Sequence, residues 1–106
     1  MHDRQAILDH ITRTIVERFS PRRIVLFGSQ ARENAGEDSD YDIFVEMETE
    51  LRPWERGAQV SLALFPRSFP LDVVVYTPAE VARLRRRVGS LLRAIEAEGS
   101  VLYERH

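Results

Sequence analysis

Cysteine is absent from this chain, which excludes disulfides, thiolate chemistry and a Cys-ligated zinc or iron–sulfur site. The absence is compatible with a reducing, cytoplasmic setting. No apolar run approaches the roughly 20 residues that a membrane-spanning helix needs. The opening MHDRQAILDH sets acids and a histidine before any apolar stretch, so it is not expected to act as a signal peptide. A large excess of either charge is missing as well. The formal net charge is -2, which lacks the basic footprint of a protein that wraps nucleic acid. No GxGxxG follows the first apolar run, so a dinucleotide-binding double unit is excluded. Internal repeats and low-complexity tracts are also missing.

What remains is a chain of 106 residues, 43% apolar and 30% charged. That composition predicts one globular domain over residues 1–106 with a modest core. Apolar residues Ile7, Leu8, Ile11, Ile15 and Phe19 recur at helical spacing and predict a helix over 4–19, stopped by Ser20-Pro21. Arg23 to Gly28 reads as an interior strand, residues 29–35 as a short helix, and Gly36 to Ser39 as a turn. Tyr41 to Met47 alternates and predicts a second strand. A helix over 53–65 follows, with Pro53 at its first position and Trp54, Ala58, Leu62 and Phe65 as its apolar stripe.

Leu71 to Tyr76 predicts a third interior strand. Thr77-Pro78-Ala79-Glu80 is a capping box that opens one long helix, with Val81, Leu84, Val88, Leu91, Leu92 and Ile95 on its apolar face. Gly89 is expected to interrupt that helix at modest cost, and Gly99 to end it. The closing SVLYERH reads as a short edge strand or a tail. The order predicts an α/β fold, a small mixed β-sheet flanked by helices.

The chemistry concentrates where apolar runs meet polar residues. Gly28-Ser29 ends the first run. Ten residues later, Asp40-Tyr41-Asp42 opens the second. On an extended backbone Asp40 and Asp42 point the same way. Their oxygens suit a hard cation such as magnesium, which keeps positions open for phosphate. Asp72 is the best third acid, because an isolated carboxylate among Leu71, Val73, Val74 and Val75 would be costly to bury. Glycine at 28 lets backbone approach a ligand, and Ser29 with nearby helix-start amides favours phosphate. Together these halves predict a site for a metal-bound triphosphate, with two cations clamping the entering and leaving oxygens.

Gly28-Ser29-x10-Asp40-x-Asp42, with Asp72 on a later strand, resembles the DNA polymerase β-like nucleotidyltransferase superfamily. Within it the chain is similar to the minimal nucleotidyltransferases of the MntA-type antitoxin group, over nearly its whole length. The resemblance implies a polymerase β palm-like fold and an enzyme that uses ATP and two Mg²⁺ ions. It implies transfer of AMP to a tyrosine hydroxyl of a HEPN-domain toxin, which blocks that partner's ribonuclease activity. Carried onto this chain, Gly28 and Ser29 would hold the triphosphate. Asp40, Asp42 and Asp72 would be both metal ligands and catalytic residues, with Asp72 helping to deprotonate the hydroxyl. The chain departs from the pattern at Glu33-Asn34, where relatives often place glycine after the arginine.

Two other functions stay open at this point. One is an antitoxin that masks its partner by binding alone. The other is transfer to a small molecule or RNA. The small size also suggests that a partner protein or a homo-oligomer supplies acceptor surface. Arg32 fits an ion pair better than a phosphate contact, and Glu37 and Asp38 fit a solvated turn. Arg83, Arg85, Arg86, Arg87 and Arg93 read as the wet side of a helix or as a partner surface. Tyr41, Tyr76 and Tyr103 read as packing residues, Trp54 as core or interface, and His2, His10 and His106 as surface.

Overall fold

The computed structural model describes residues 3–31 and 40–105. Helix α1, Arg4–Phe19, starts where the Asp3 carboxylate accepts the Gln5 amide, and buries Ile7, Leu8, Ile11 and Ile15. It ends at Ser20, whose φ of 47° turns the chain out of the helix just before Pro21. Strand β1, Arg23–Phe27, runs into a 3-10 turn at Gly28–Ala31. Strands β2, Tyr41–Glu46, β3, Leu71–Tyr76, and β4, Ser100–Glu104, complete a sheet in the order β3-β2-β1-β4.

The sheet is mixed. β2 pairs antiparallel with β1 and parallel with β3, and β4 lies antiparallel on the other side of β1. The last segment is therefore an edge strand and not a tail. β3 corrects an expectation, since it is an edge strand and not an interior one. Its hydrophobic run reflects cover by a helix, not pairing on both sides. Alternation along β2 divides the interior in two. Ile43 and Val45 pack with α1, while Phe44 packs with Val25, Val81, Leu92 and Ile95 on the opposite face.

Helix α2, Pro53–Ala63, packs on β3 and sits on the same face as α1. It turns the opposite way from the expected stripe. Trp54, Ala58, Leu62 and the following Phe65 are exposed, whereas Arg56, Val60 and Leu64 are buried. Gly57 explains the choice. A Cβ there would lie 2.8 Å from the Val73 carbonyl oxygen, so only glycine lets the helix come this close to β3. Arg56 enters the interior because its guanidinium has partners, donating to Leu51 O at 3.1 Å and to Glu80 Oε1 at 2.7 Å.

The expected long C-terminal helix is two helices. α3, Pro78–Leu84, has the capping box at Thr77 and Glu80, and α4, Leu91–Glu98, starts from a Ser90 cap. Gly89 adopts φ 80° between them. That left-handed turn breaks the helix instead of merely weakening it. Val88, expected on the apolar face, is 93% exposed. No described helix is long and apolar enough to cross a membrane.

Candidate active site

β1 runs against β2 and β3 runs with it, so the end of β1 and the starts of β2 and β3 share one end of the sheet. The register sets Phe27 opposite Asp42, and Asp42 opposite Asp72. In-register neighbours project to the same face, so the two aspartates stand side by side on the face of Phe44 and Val74. Asp42 is half-buried, while Asp40, just before β2, and Asp72 are exposed. Burial pushes the Asp42 carboxyl above its ordinary value of 3.8, and the charges of Asp72 and Asp40 push it further. Asp42 therefore feels the charge of the two other acids proposed from sequence.

Gly28 closes over this group. Its φ of 70° lies in the left-handed region, which glycine adopts without steric cost. Any Cβ there would run into the Asp42 carboxylate, meeting its Cγ at 3.1 Å and its Cβ at 3.3 Å. Glycine thus serves two needs, the turn and the room beside the acid. Ser29 follows in the 3-10 turn and is half-buried. Gln30 holds that turn in place. It is only 3% exposed, and the Arg4 guanidinium donates to its carbonyl oxygen and, at 3.4 Å, to its side-chain oxygen. α4 packs against the same turn from the other side.

Arg4 and Gln30 were missed in the sequence. Neither belongs to a motif, and no local pattern signals a contact 26 residues apart. Arg32, Glu33, Asn34, Glu37, Asp38, His2 and His106 lie outside the described residues. Tyr41 packs as expected, buried on the opposite face from Asp42 with its ring 5.5 Å from that of Phe69. Trp54 is not core, at 73% exposure. The arginines at 83, 85, 86, 87 and 93 are exposed.

The donor set tests whether a hard divalent cation fits. Carboxylates brought this close favour bound cations, which relieve their repulsion, and Gly28 lets the Asp42 carboxylate sit against the turn. Among the described residues no group of three or more Asp, Glu, His or Cys side chains is placed to hold a metal ion by itself. The arrangement is an open acidic rim beside a small-residue turn. Such a rim can meet a cation that arrives with its own phosphate ligands.

A family model described as a nucleotidyltransferase domain matches residues 8–93. Among solved structures, a protein from Sulfolobus solfataricus assigned as a nucleotidyltransferase aligns with a TM-score of 0.64 and 23% identity, covering 96% of this chain and 82% of that one. A toxin–antitoxin crystallised with AMP-PNP aligns with a TM-score of 0.62 and 22% identity, covering 92% and 73%. The toxin–antitoxin MntA-HepT aligns with a TM-score of 0.58 and 22% identity, covering 96% and 74%. At these identities the likeness concerns the fold. No curated protein matches the chain.

Proposed function

The chain belongs to the nucleotidyltransferase domain family, and from that premise we propose that it transfers AMP from ATP to a tyrosine of a cognate HEPN-domain toxin, as the antitoxin of the pair. The observation that carries the chemistry is the in-register pairing of Asp42 with Asp72 beside Gly28. Two of the similar folds are toxin–antitoxin proteins, one of them crystallised with AMP-PNP. Those two supply the reason for choosing a protein acceptor and ATP over a small molecule or RNA.

Asp40, Asp42 and Asp72 would hold magnesium, which would neutralise the triphosphate and polarise the attacked phosphate. The chain's own groups do the rest. Gly28 lets the Asp42 carboxylate stand hard against the turn that carries Ser29. Ser29 offers a hydroxyl to a phosphate oxygen. Asp72, exposed at the sheet end, takes the proton of the incoming tyrosine hydroxyl. The tyrosine oxygen bonds to the α-phosphorus as the bond to the β-phosphate bridge oxygen breaks, and pyrophosphate leaves. The product is an AMP–tyrosine phosphodiester.

The test is incubation with labelled ATP, Mg²⁺ and the product of the adjacent gene, followed by mass analysis of the acceptor. Label on a tyrosine of that partner is expected. Asp42→Asn should lower transfer by on the order of 10²–10³-fold, several kcal/mol of lost charge stabilisation. Folded, nucleotide-binding protein that leaves the partner unlabelled would overturn the catalytic reading. Full neutralisation of the toxin by an Asp40→Asn/Asp42→Asn variant would assign the antitoxin role to binding alone.

A further inference from the structure

Among the described residues none covers the outward stripe of α2. Trp54 is 73% exposed, and Leu62 and Phe65 are 58% exposed each. Their spacing, with exposed Ala58 between, places them along one side of the helix over about 16 Å. A contiguous apolar stripe of this kind marks an interaction site more often than scattered surface hydrophobes do. At its end the stripe continues through Pro66 into a groove of about 510 Å³, where Ala6 and Ile7 of α1 face Phe69. His10, Arg67 and Ser68 are the polar members of that lining.

Charge selects the occupant. Arg52 lies over the Trp54 ring at 5.5 Å from its centroid, and Arg67 over the Phe65 ring at 4.2 Å. The stripe is thus apolar in the middle with an arginine over each end, Glu55 also standing at the Arg52 end, where its carboxylate accepts from the Arg52 amide. A second copy fits poorly. In a two-fold interface, where one residue meets a second, that second meets the first in return. Parallel α2 helices would oppose Arg52 to Arg52, and antiparallel ones would oppose Arg52 to Arg67. Both arrangements juxtapose like charges. We propose that this stripe and the adjoining groove dock an amphipathic helix of a partner protein, its apolar residues on Trp54, Leu62 and Phe65 and its flanking carboxylates on Arg52 and Arg67. Helix-in-groove recognition of this type uses anchors at helical spacing. The surface is on the face of the sheet opposite Asp42, so the proposal stands whether or not that site is catalytic.

Trp54 is the chain's one tryptophan and reports occupancy directly. The full chain is titrated with a synthetic Leu/Glu amphipathic helical peptide, with a Leu/Lys peptide of the same pattern, and with phosphatidylserine/phosphatidylcholine vesicles. A saturable blue shift of the emission with the Leu/Glu peptide is expected. Leu62→Ser/Phe65→Ser should weaken that binding by about tenfold or more, as loss of central anchors does. Arg52→Glu/Arg67→Glu should reverse the preference between the peptides. Leu62, Phe65 and Arg52 are exposed, whereas Arg67 is half-buried and donates to Ser61 O at 3.3 Å, so circular dichroism and melting are checked for each variant. If a variant fails to fold, the comparison of the two peptides on wild-type protein decides. Equal or tighter binding of the Leu/Lys peptide, a blue shift that grows with protein concentration alone, a shift with vesicles only, or no shift would each overturn the proposal.

Discussion

Gly28 carries two demands on one atom that is missing. A methyl at this position meets the Asp42 carboxylate and forces a positive φ on a residue with a Cβ. Gly28→Ala should cost about 1–2 kcal/mol from the backbone alone, which lowers the melting temperature by roughly 5–10 °C in a domain of this size. It should also lower nucleotidyl transfer, because Asp42 must shift to make room. Asp42→Asn should act differently. It removes a carboxylate that burial, and then the charges of Asp72 and Asp40, disfavour, so without cations it should melt no lower than wild type while transfer falls. Calorimetry beside the transfer assay separates the two. The placement of Gly28, Asp42 and Asp72 at one end of the sheet was readable in the sequence because each breaks an apolar run at a strand end. Arg4 and Gln30 were not, because a guanidinium reaching a distant turn leaves no trace in local spacing.

At the scale of elements, α2 shows why hydropathy misplaced one face. Trp54, Ala58, Leu62 and Phe65 form a better apolar stripe on paper than Arg56, Gly57, Val60 and Leu64. The fold buries the second set. Gly57 permits a close approach that any larger residue forbids, and Arg56 brings Glu80 and two backbone carbonyls as partners. Neither advantage is visible as hydrophobicity. Val60→Ala should therefore cost about 2 kcal/mol in denaturant unfolding, whereas Leu62→Ala should stay within about 0.5 kcal/mol. Gly57→Val should cost about 1–3 kcal/mol through overpacking against β3. Equal costs at positions 60 and 62 would mean that the helix is turned the other way. The split between α3 and α4 has a similar origin. Gly89 was visible, but only its positive φ, with Ser90 ready to cap a new helix, turns a weak spot into a boundary.

Over the whole molecule, ion pairs join elements that are far apart in sequence. Arg23 of β1 donates to Glu46 of β2 at 3.1 Å and to Glu96 of α4 at 2.9 Å, and Arg85 beside α3 shares Glu96. The hydrogen bonds from Arg85 hold the Glu96 carboxyl below its ordinary 4.5, with burial opposing and Arg23 assisting. Burial pushes Glu80 up, but hydrogen bonds from Thr77 and Arg56 outweigh it, and the carboxyl is lowered. A carboxylate depressed in the fold binds its proton more readily when unfolded, so these groups stabilise the fold above about pH 4.5. That stability should drain away as the pH falls through their lower folded values. Urea midpoints measured between pH 7 and pH 3 should show the decline, and Glu96→Gln should flatten part of it. The overall α/β order was readable from runs and turns. The edge position of β3 was not, since cover by a helix and pairing on both sides produce the same apolar run.

The parallel pairing of Asp42 with Asp72 has a consequence for alignment. A slip of β3 by one residue would carry Asp72 to the α1–α2 face and bring a valine into its place. Any ligand held jointly by the two acids then binds one alignment of the strands and no other. Occupancy of the site would act as a gauge of correct assembly, adding its binding free energy only to molecules in which β3 has docked in step with β2.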